Sequence, residues 1–183
     1  MSLTAIILAG RKSTRMGQDK AFIQWKGKSF LEHIINTAKQ LTDNVVLSGD
    51  MQRLAQFGLE VIEDQEYGNG PVYGLASCFG KVKTDNVLVL SCDVPQISAI
   101  DLEYLVSHHT EELDVTCFEY QGKVMPLIGI YNSSAFKAFK RAMKNEQRRL
   151  FSVLDGLKVK TIKYKGADGL MNINCPEDLK ALL

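Results

Sequence analysis

Three features of the sequence predict an α/β fold with a mostly parallel sheet and helices on both faces. Short apolar, β-branched runs alternate with amphipathic stretches through the first hundred or so residues, which is the order of βαβ units. Runs such as VLVLSC (87–92) are apolar almost throughout, as strands become when helices cover both their faces. The 183 residues are 45% hydrophobic, with no repeat, low-complexity tract or shift of composition. One three-layer domain over residues 1–183 with a sizeable core is therefore expected.

The elements follow in order. Strands are expected at 4–9, 44–48, 60–63, 86–92, 115–120, 124–131 and 159–164, each a short apolar or alternating run. A helix is expected over 29–41, where Phe30, Leu31, Ile34, Ile35, Ala38 and Leu41 form one stripe. Ser98 and Asp101 have the spacing of a capping box and open a helix running to His109. A further helix is expected over 134–145. The last, over 176–183, has Pro176 in its first turn with Glu177 and Asp178 behind it. GNGPVYGL (68–75) reads as a glycine-rich loop, because Asn-Gly and Gly-Pro are turn dipeptides.

Charge and composition exclude several classes of function. A net charge of +1 argues against bulk electrostatic binding to nucleic acid or a membrane surface. No apolar run approaches the roughly 20 residues that span a bilayer. The run at 4–9 is too short for a signal-peptide core and ends at Gly10-Arg11-Lys12, so a cytoplasmic protein is expected. Cys78, Cys92, Cys117 and Cys175 contain no CxxC pair and read as small apolar residues of a reducing compartment. His33, His108 and His109 have no metal-binding spacing, and no GxSxG elbow is present.

In open α/β sheets, ligands bind beyond the carboxyl ends of the strands. Residues just after Ala9, Leu47, Glu63 and Cys92 should therefore converge on one crevice. The first strand empties into LAGRKSTRMGQDK (8–20), where Arg11, Lys12, Arg15 and Lys20 face the single acid Asp19. It is neither a P-loop nor a dinucleotide fingerprint. A solvated basic loop and an anion cradle of backbone N–H groups and cations both remain open. Asp64 and Asp93 end the third and fourth strands. Ser98 is the better cap for the helix beyond Pro95, so Asp93 suits a magnesium site completed by water and substrate phosphate.

Taken together, LAG…S.RMG.DK, VIED, GPVYGL, SCDVP, MPLIGIY, QRRLFSVL and NINCPEDL resemble the molybdenum cofactor guanylyltransferases over essentially the whole chain. The first motif is shared with many nucleotidyltransferases; NINCPEDL narrows the likeness. The resemblance implies a Rossmann-like sheet of the nucleotide-diphospho-sugar transferase type. It also implies transfer of GMP from GTP to molybdopterin, with Mg2+, releasing pyrophosphate.

Carried over by position, the resemblance gives Leu8, Ala9 and Gly10 backbone contacts to the nucleotide, with Ser48 and Asp64 near the nucleoside. Arg15 and Lys20 would hold phosphates and Asp93 the metal. Asn172 and Asn174, with Arg148 or Arg149 as a weaker assignment, would contact the acceptor, so the amino-terminal half binds nucleotide and the carboxyl-terminal half acceptor. Arg11 stands where the family has a second glycine, Ser48 where it often has Asn, and Leu127 where relatives often have Thr. GTP and molybdopterin are the implied partners, without nucleic acid or membrane. Transient contact with other cofactor-biosynthesis proteins or acceptor enzymes is implied for handing on the product. The rival readings are a transferase using CTP or a sugar or alcohol phosphate, and an inactive nucleotide-binding module.

Overall fold

The computed structural model describes residues 2–10, 19–63 and 70–180. Strand β1 (Leu3–Leu8) is followed by a 3₁₀ turn (Lys20–Phe22), the hairpin strands β2 (Gln24–Trp25) and β3 (Lys28–Ser29), and helix α1 (Phe30–Ala38). Then come β4 (Val45–Ser48), α2 (Met51–Leu54), a second 3₁₀ turn (Ala55–Phe57), β5 (Glu60–Ile62), α3 (Pro71–Phe79) and β6 (Asn86–Ser91). Helix α4 (Ala99–Ser107), β7 (Val115–Tyr120), β8 (Lys123–Asn132), α5 (Ser133–Lys144), α6 (Leu150–Leu154), β9 (Val159–Lys163) and α7 (Pro176–Lys180) complete the order.

Seven strands form one sheet in the order β5-β4-β1-β6-β8-β7-β9. Strand β8 runs antiparallel to both β6 and β7, and all other pairs are parallel. All seven expected strands are present, within a residue or so of their expected ends.

Alternate residues of the strands face opposite layers. Ala5, Ile7, Leu47, Leu88 and Leu90 pack against Leu31, Ile34 and Ile35 of α1 and Leu102 and Leu105 of α4. Ile6, Val46, Val87 and Val89 pack against Val72 and Leu75 of α3, Phe139 of α5 and Val153 of α6. Each fully buried side chain of this kind contributes about 1.5–3 kcal/mol. Capping boxes at Ser29 with Glu32 and at Ser98 with Asp101 start α1 and α4.

The short helices α2 and α6 were not expected, and two further features differ from expectation. Pro71–Phe79 is a helix rather than the end of a glycine-rich loop: Gly70 at φ 89° is its cap, and Pro71 opens its first turn. Every residue from Val72 to Phe79 is buried, so the helix has no polar face and carries no amphipathic signature. The β2–β3 hairpin was also unforeseen; its turn uses Lys26 at φ 46° and Gly27 at φ 79°, the geometry of a tight hairpin. Its neighbours Ile23 and Phe30 bury Ile173 of the carboxyl-terminal segment, with Trp25, Met171 and Leu179 around them.

Gly129 of β8 lies opposite Cys117, where the register with β7 shifts. A Cβ there would stand 2.9 Å from the Thr116 carbonyl oxygen and 3.0 Å from the Cys117 Cβ. Neither can retreat without disturbing the central pairing, so Gly129→Ala should destabilise the fold by about 2–3 kcal/mol, the scale of core overpacking. The shift of the urea midpoint measures it.

Candidate active site at the strand ends

The strand ends are level. Leu8 pairs with Ser48 on one side and Ser91 on the other, and Ser48 pairs with Ile62. The chain therefore leaves β1, β4, β5 and β6 along one line, the convergence expected from the sheet topology. Ala9 N–H donates to the Ser48 carbonyl at 2.9 Å, and Gly49 N–H donates to the Ile62 carbonyl at 3.2 Å. A side chain on Gly49, which sits at φ 152°, would meet the Gly10 Cα at 3.1 Å and the Ala9 oxygen at 3.2 Å. Glycine there lets two backbones touch.

Leu8 and Gly10 are half-buried, whereas Ala9 and Ser48 are buried. Ala9 uses its N–H on Ser48 and its carbonyl on Arg53. Gly10 is thus the member of the trio with no hydrogen bond among the described residues. Arg11, Arg15 and Asp64 lie outside the described residues.

A carboxyl-terminal segment crosses this line of strand ends. It leaves β9 at the sheet edge, where Tyr164 N–H donates to Glu119. The Tyr164 ring meets Phe118 and Tyr120 edge-on at 5.3 and 5.8 Å, and its hydroxyl faces Asp101 and Gly169. Burial first, then the Asp101 charge, pushes this phenol up to about 12. Gly166 and Gly169 lie so close to the ring that neither has room for a side chain. Tyr120 donates to the Ala167 carbonyl at 3.1 Å.

Beyond this turn Leu170 and Ile173 are fully buried, and Ile173 N–H donates to the Asp93 carbonyl at 2.9 Å. Extended backbone turns alternate residues to opposite sides. Ile173 is buried while Asn172 is half-buried and Asn174 exposed. Asn174 Oδ1 accepts from Lys20 Nζ at 2.5 Å. Lys20, Asp93 and Asn174 thus come from three distant parts of the chain to one end of the sheet, Asn174 on Lys20 and its neighbour Ile173 on the Asp93 backbone; among the described contacts, none is given for the Asn172 side chain.

Arg148 and Arg149 are exposed at the start of α6. Because β8 runs antiparallel, α5 returns toward the same end of the sheet, and Tyr73 of α3 donates to Met143 at 3.4 Å. Among the described contacts, none ties either arginine to Lys20 or Asp93.

Local electrostatics follow from this crowding. Desolvation pushes the Cys92 thiol up to about 12, with Asp93 adding to the effect and Lys20 opposing it. The thiol is thus a neutral neighbour rather than a nucleophile. Among the described residues the Asp93 carboxylate has no hydrogen-bond or ion-pair partner, and no cluster of three or more His, Cys, Asp or Glu forms a complete protein cage for a metal. A carboxylate with no partner among the described residues fits magnesium, which keeps most of its positions for water and substrate oxygens.

Asp178 fastens the crossing segment by accepting from Asn174 N–H at 2.7 Å and Cys175 N–H at 3.0 Å. The Asn174 backbone bond leads in holding its carboxyl below the ordinary 3.8, and Lys20 adds to the effect. The sign follows: this contribution to stability is complete above 3.8 and is lost as pH falls through the lower folded value. Trp25, the sole tryptophan, packs beside Ile173 and reports on this segment. The gap in urea midpoint between the native chain and Asp178→Asn should be widest at neutral pH and close below 3.8, read by Trp25 fluorescence.

Sequence reasoning missed Arg53, whose guanidinium reaches Ala9, Asp19 and the Phe22 ring. It lies outside every motif, and the short helix that carries it has no periodic signal. Asp19 was legible only as the lone acid of a basic stretch.

Residues 5–161 match the family described as the MobA-like NTP transferase domain. A Flavobacterium johnsoniae protein named as a molybdenum cofactor guanylyltransferase is 32% identical over 99% of this chain and 96% of its own length. The fold is shared with a molybdopterin-guanine dinucleotide biosynthesis protein A from Archaeoglobus fulgidus, with a TM-score of 0.84 at 22% identity over 98% of this chain and 96% of that one. A Mycobacterium tuberculosis protein solved in complex with manganese has a TM-score of 0.73 at 15% identity over 100% and 98% of the two chains.

Proposed function

Because the chain belongs to the MobA-like NTP transferase family of molybdenum cofactor guanylyltransferases, we propose that it transfers GMP from GTP to molybdopterin at the strand-end crevice. The bond between Lys20 and Asn174, with the adjoining Ile173 held on the Asp93 backbone, carries this reading. It sets residues of the nucleotide-binding amino-terminal half against those of an acceptor-binding carboxyl-terminal half.

The nucleophile is a phosphate oxygen of molybdopterin. A phosphate monoester has a second pKa of about 6 and is largely dianionic at neutral pH, so no general base is needed. The oxygen attacks the α-phosphorus of GTP; the bond from that phosphorus to the bridging oxygen breaks, and pyrophosphate leaves with the electron pair. Alignment and charge neutralisation supply the catalysis.

Lys20 has three N–H donors, and Asn174 occupies one of them. The others can hold the nucleotide phosphates while Asn174 keeps the ammonium at the boundary between donor and acceptor. Arg15 adds a second cation to the phosphates. The Gly10 backbone approaches the nucleotide closely, beside Leu8 and Ala9, while Ser48 and Asp64 flank the nucleoside. Asn172 and Asn174 orient the acceptor. Asp93 is the residue to hold Mg2+, which when bound neutralises phosphate charge as a Lewis acid.

Supplied with Mg2+ and molybdopterin, the protein should release pyrophosphate and form the guanine dinucleotide from GTP; product from CTP alone would overturn the assignment. Asp93→Asn should lower the magnesium-dependent rate by about 100-fold or more, a loss of several kcal/mol of charge stabilisation. Lys20→Met should weaken GTP more than molybdopterin, as separate KM values would show.

A further inference from the structure

We propose that Arg53, which belongs to none of the family-like motifs, is a positioning residue that sets Lys20 relative to the end of β1. The inference rests on Lys20 holding nucleotide phosphates, and its own geometry is independent of which nucleotide that is.

Arg53 lies in the last turn of α2, whose Asp50 cap accepts from Arg53 N–H at 3.0 Å. Its Nη2 donates to the Asp19 carboxylate and reaches the Ala9 carbonyl at 3.4 Å. The guanidinium carbon stands 5.8 Å from the Phe22 ring centroid, and Phe22 stacks on Phe57 at 5.8 Å. Side-chain exposure is only 13% for Arg53 and 16% for Asp19, so water screens this pair less than an ordinary surface bridge.

The two oxygens of Asp19 do different work. Oδ2 takes Arg53, whereas Oδ1 accepts from Ala21 N–H at 3.2 Å and caps the turn that begins with Lys20. A continuous set of contacts therefore runs from the β1 end through Arg53 and Asp19 to the backbone bearing Lys20. Ala9 is itself tied to β4 through Ser48, so the anchor is the sheet. Arg53 also balances Asp19, a carboxylate next to the residue that must attract phosphate. A lysine at position 53 could keep that balance, but its compact ammonium on a flexible stem cannot match a planar guanidinium that lies beside a ring while its Nη2 reaches two acceptors.

The test pairs Arg53→Lys with Lys20→Met in a double-mutant cycle, using the full chain, Mg2+, GTP and molybdopterin. Arg53→Lys alone should lower kcat/KM for GTP by about 10-fold or more, the scale of a small misplacement of a binding group. The KM for molybdopterin should change less than the KM for GTP, because Lys20 reaches the acceptor side only through its bond to Asn174. In the Lys20→Met background the same change should add little. An equal loss in both backgrounds, or none in either, would overturn the proposal.

A second readout needs no substrate: the Lys20 Cε resonance in 13C-lysine-labelled protein, assigned through Lys20→Met, should move in Arg53→Lys. An unmoved resonance overturns the positioning role whatever the reaction. A moved resonance in a protein that makes no dinucleotide upholds it while removing the guanylyltransferase reading.

Discussion

The register of β1 against its two neighbours is the constraint on which the rest depends. Leu8 faces Ser48 and Ser91 at once, so three strands end at one level and their exits share one edge. A slip of one residue would exchange Ile6 and Ile7 between two cores that are each already filled. At about 1.5–3 kcal/mol for each misplaced side chain, several such exchanges would exceed the whole stability of an ordinary domain. The hydrophobic core thereby sets the level at which the strands end.

The second requirement is to bring a carboxyl-terminal segment back across that edge. β8 makes this feasible by reversing direction between β6 and β7, which widens the sheet and leaves β9 ending on the crevice side. The returning segment is held at both ends by different means. Packed tyrosines and close-fitting glycines turn it at β9. Ile173 and the Asp178 carboxylate secure it near Asp93 and Lys20. Burial of Ile173 fixes the backbone from which Asn174 meets Lys20.

Much of this was legible residue by residue. The seven sheet strands stood out because their apolar runs are short and bounded by turn residues. α1 stood out by its apolar stripe, and α4 by a serine cap with an acid at the third position. Lys20, Asp93 and Asn174 were named by motif, and the fold sets Asn174 on Lys20 and Ile173 on the Asp93 backbone. α3 was not legible, since a helix buried on all sides has no polar stripe and its Gly70-Pro71 start mimics a turn. Nor was the β2–β3 hairpin, whose two-residue strands are too short to show alternation.

Composition and local chemistry along the chain decide the strand and helix types, the caps and the family likeness, because each depends on neighbours a few residues apart. Tertiary structure alone decides that Asn174 meets Lys20, 154 residues away, and that Arg53 joins Ala9 to Asp19 across separations of 44 and 34. Periodicity carries no trace of such contacts. They arise only when parallel pairing levels the strand ends, bringing side chains from remote segments within the few ångströms over which hydrogen bonds act.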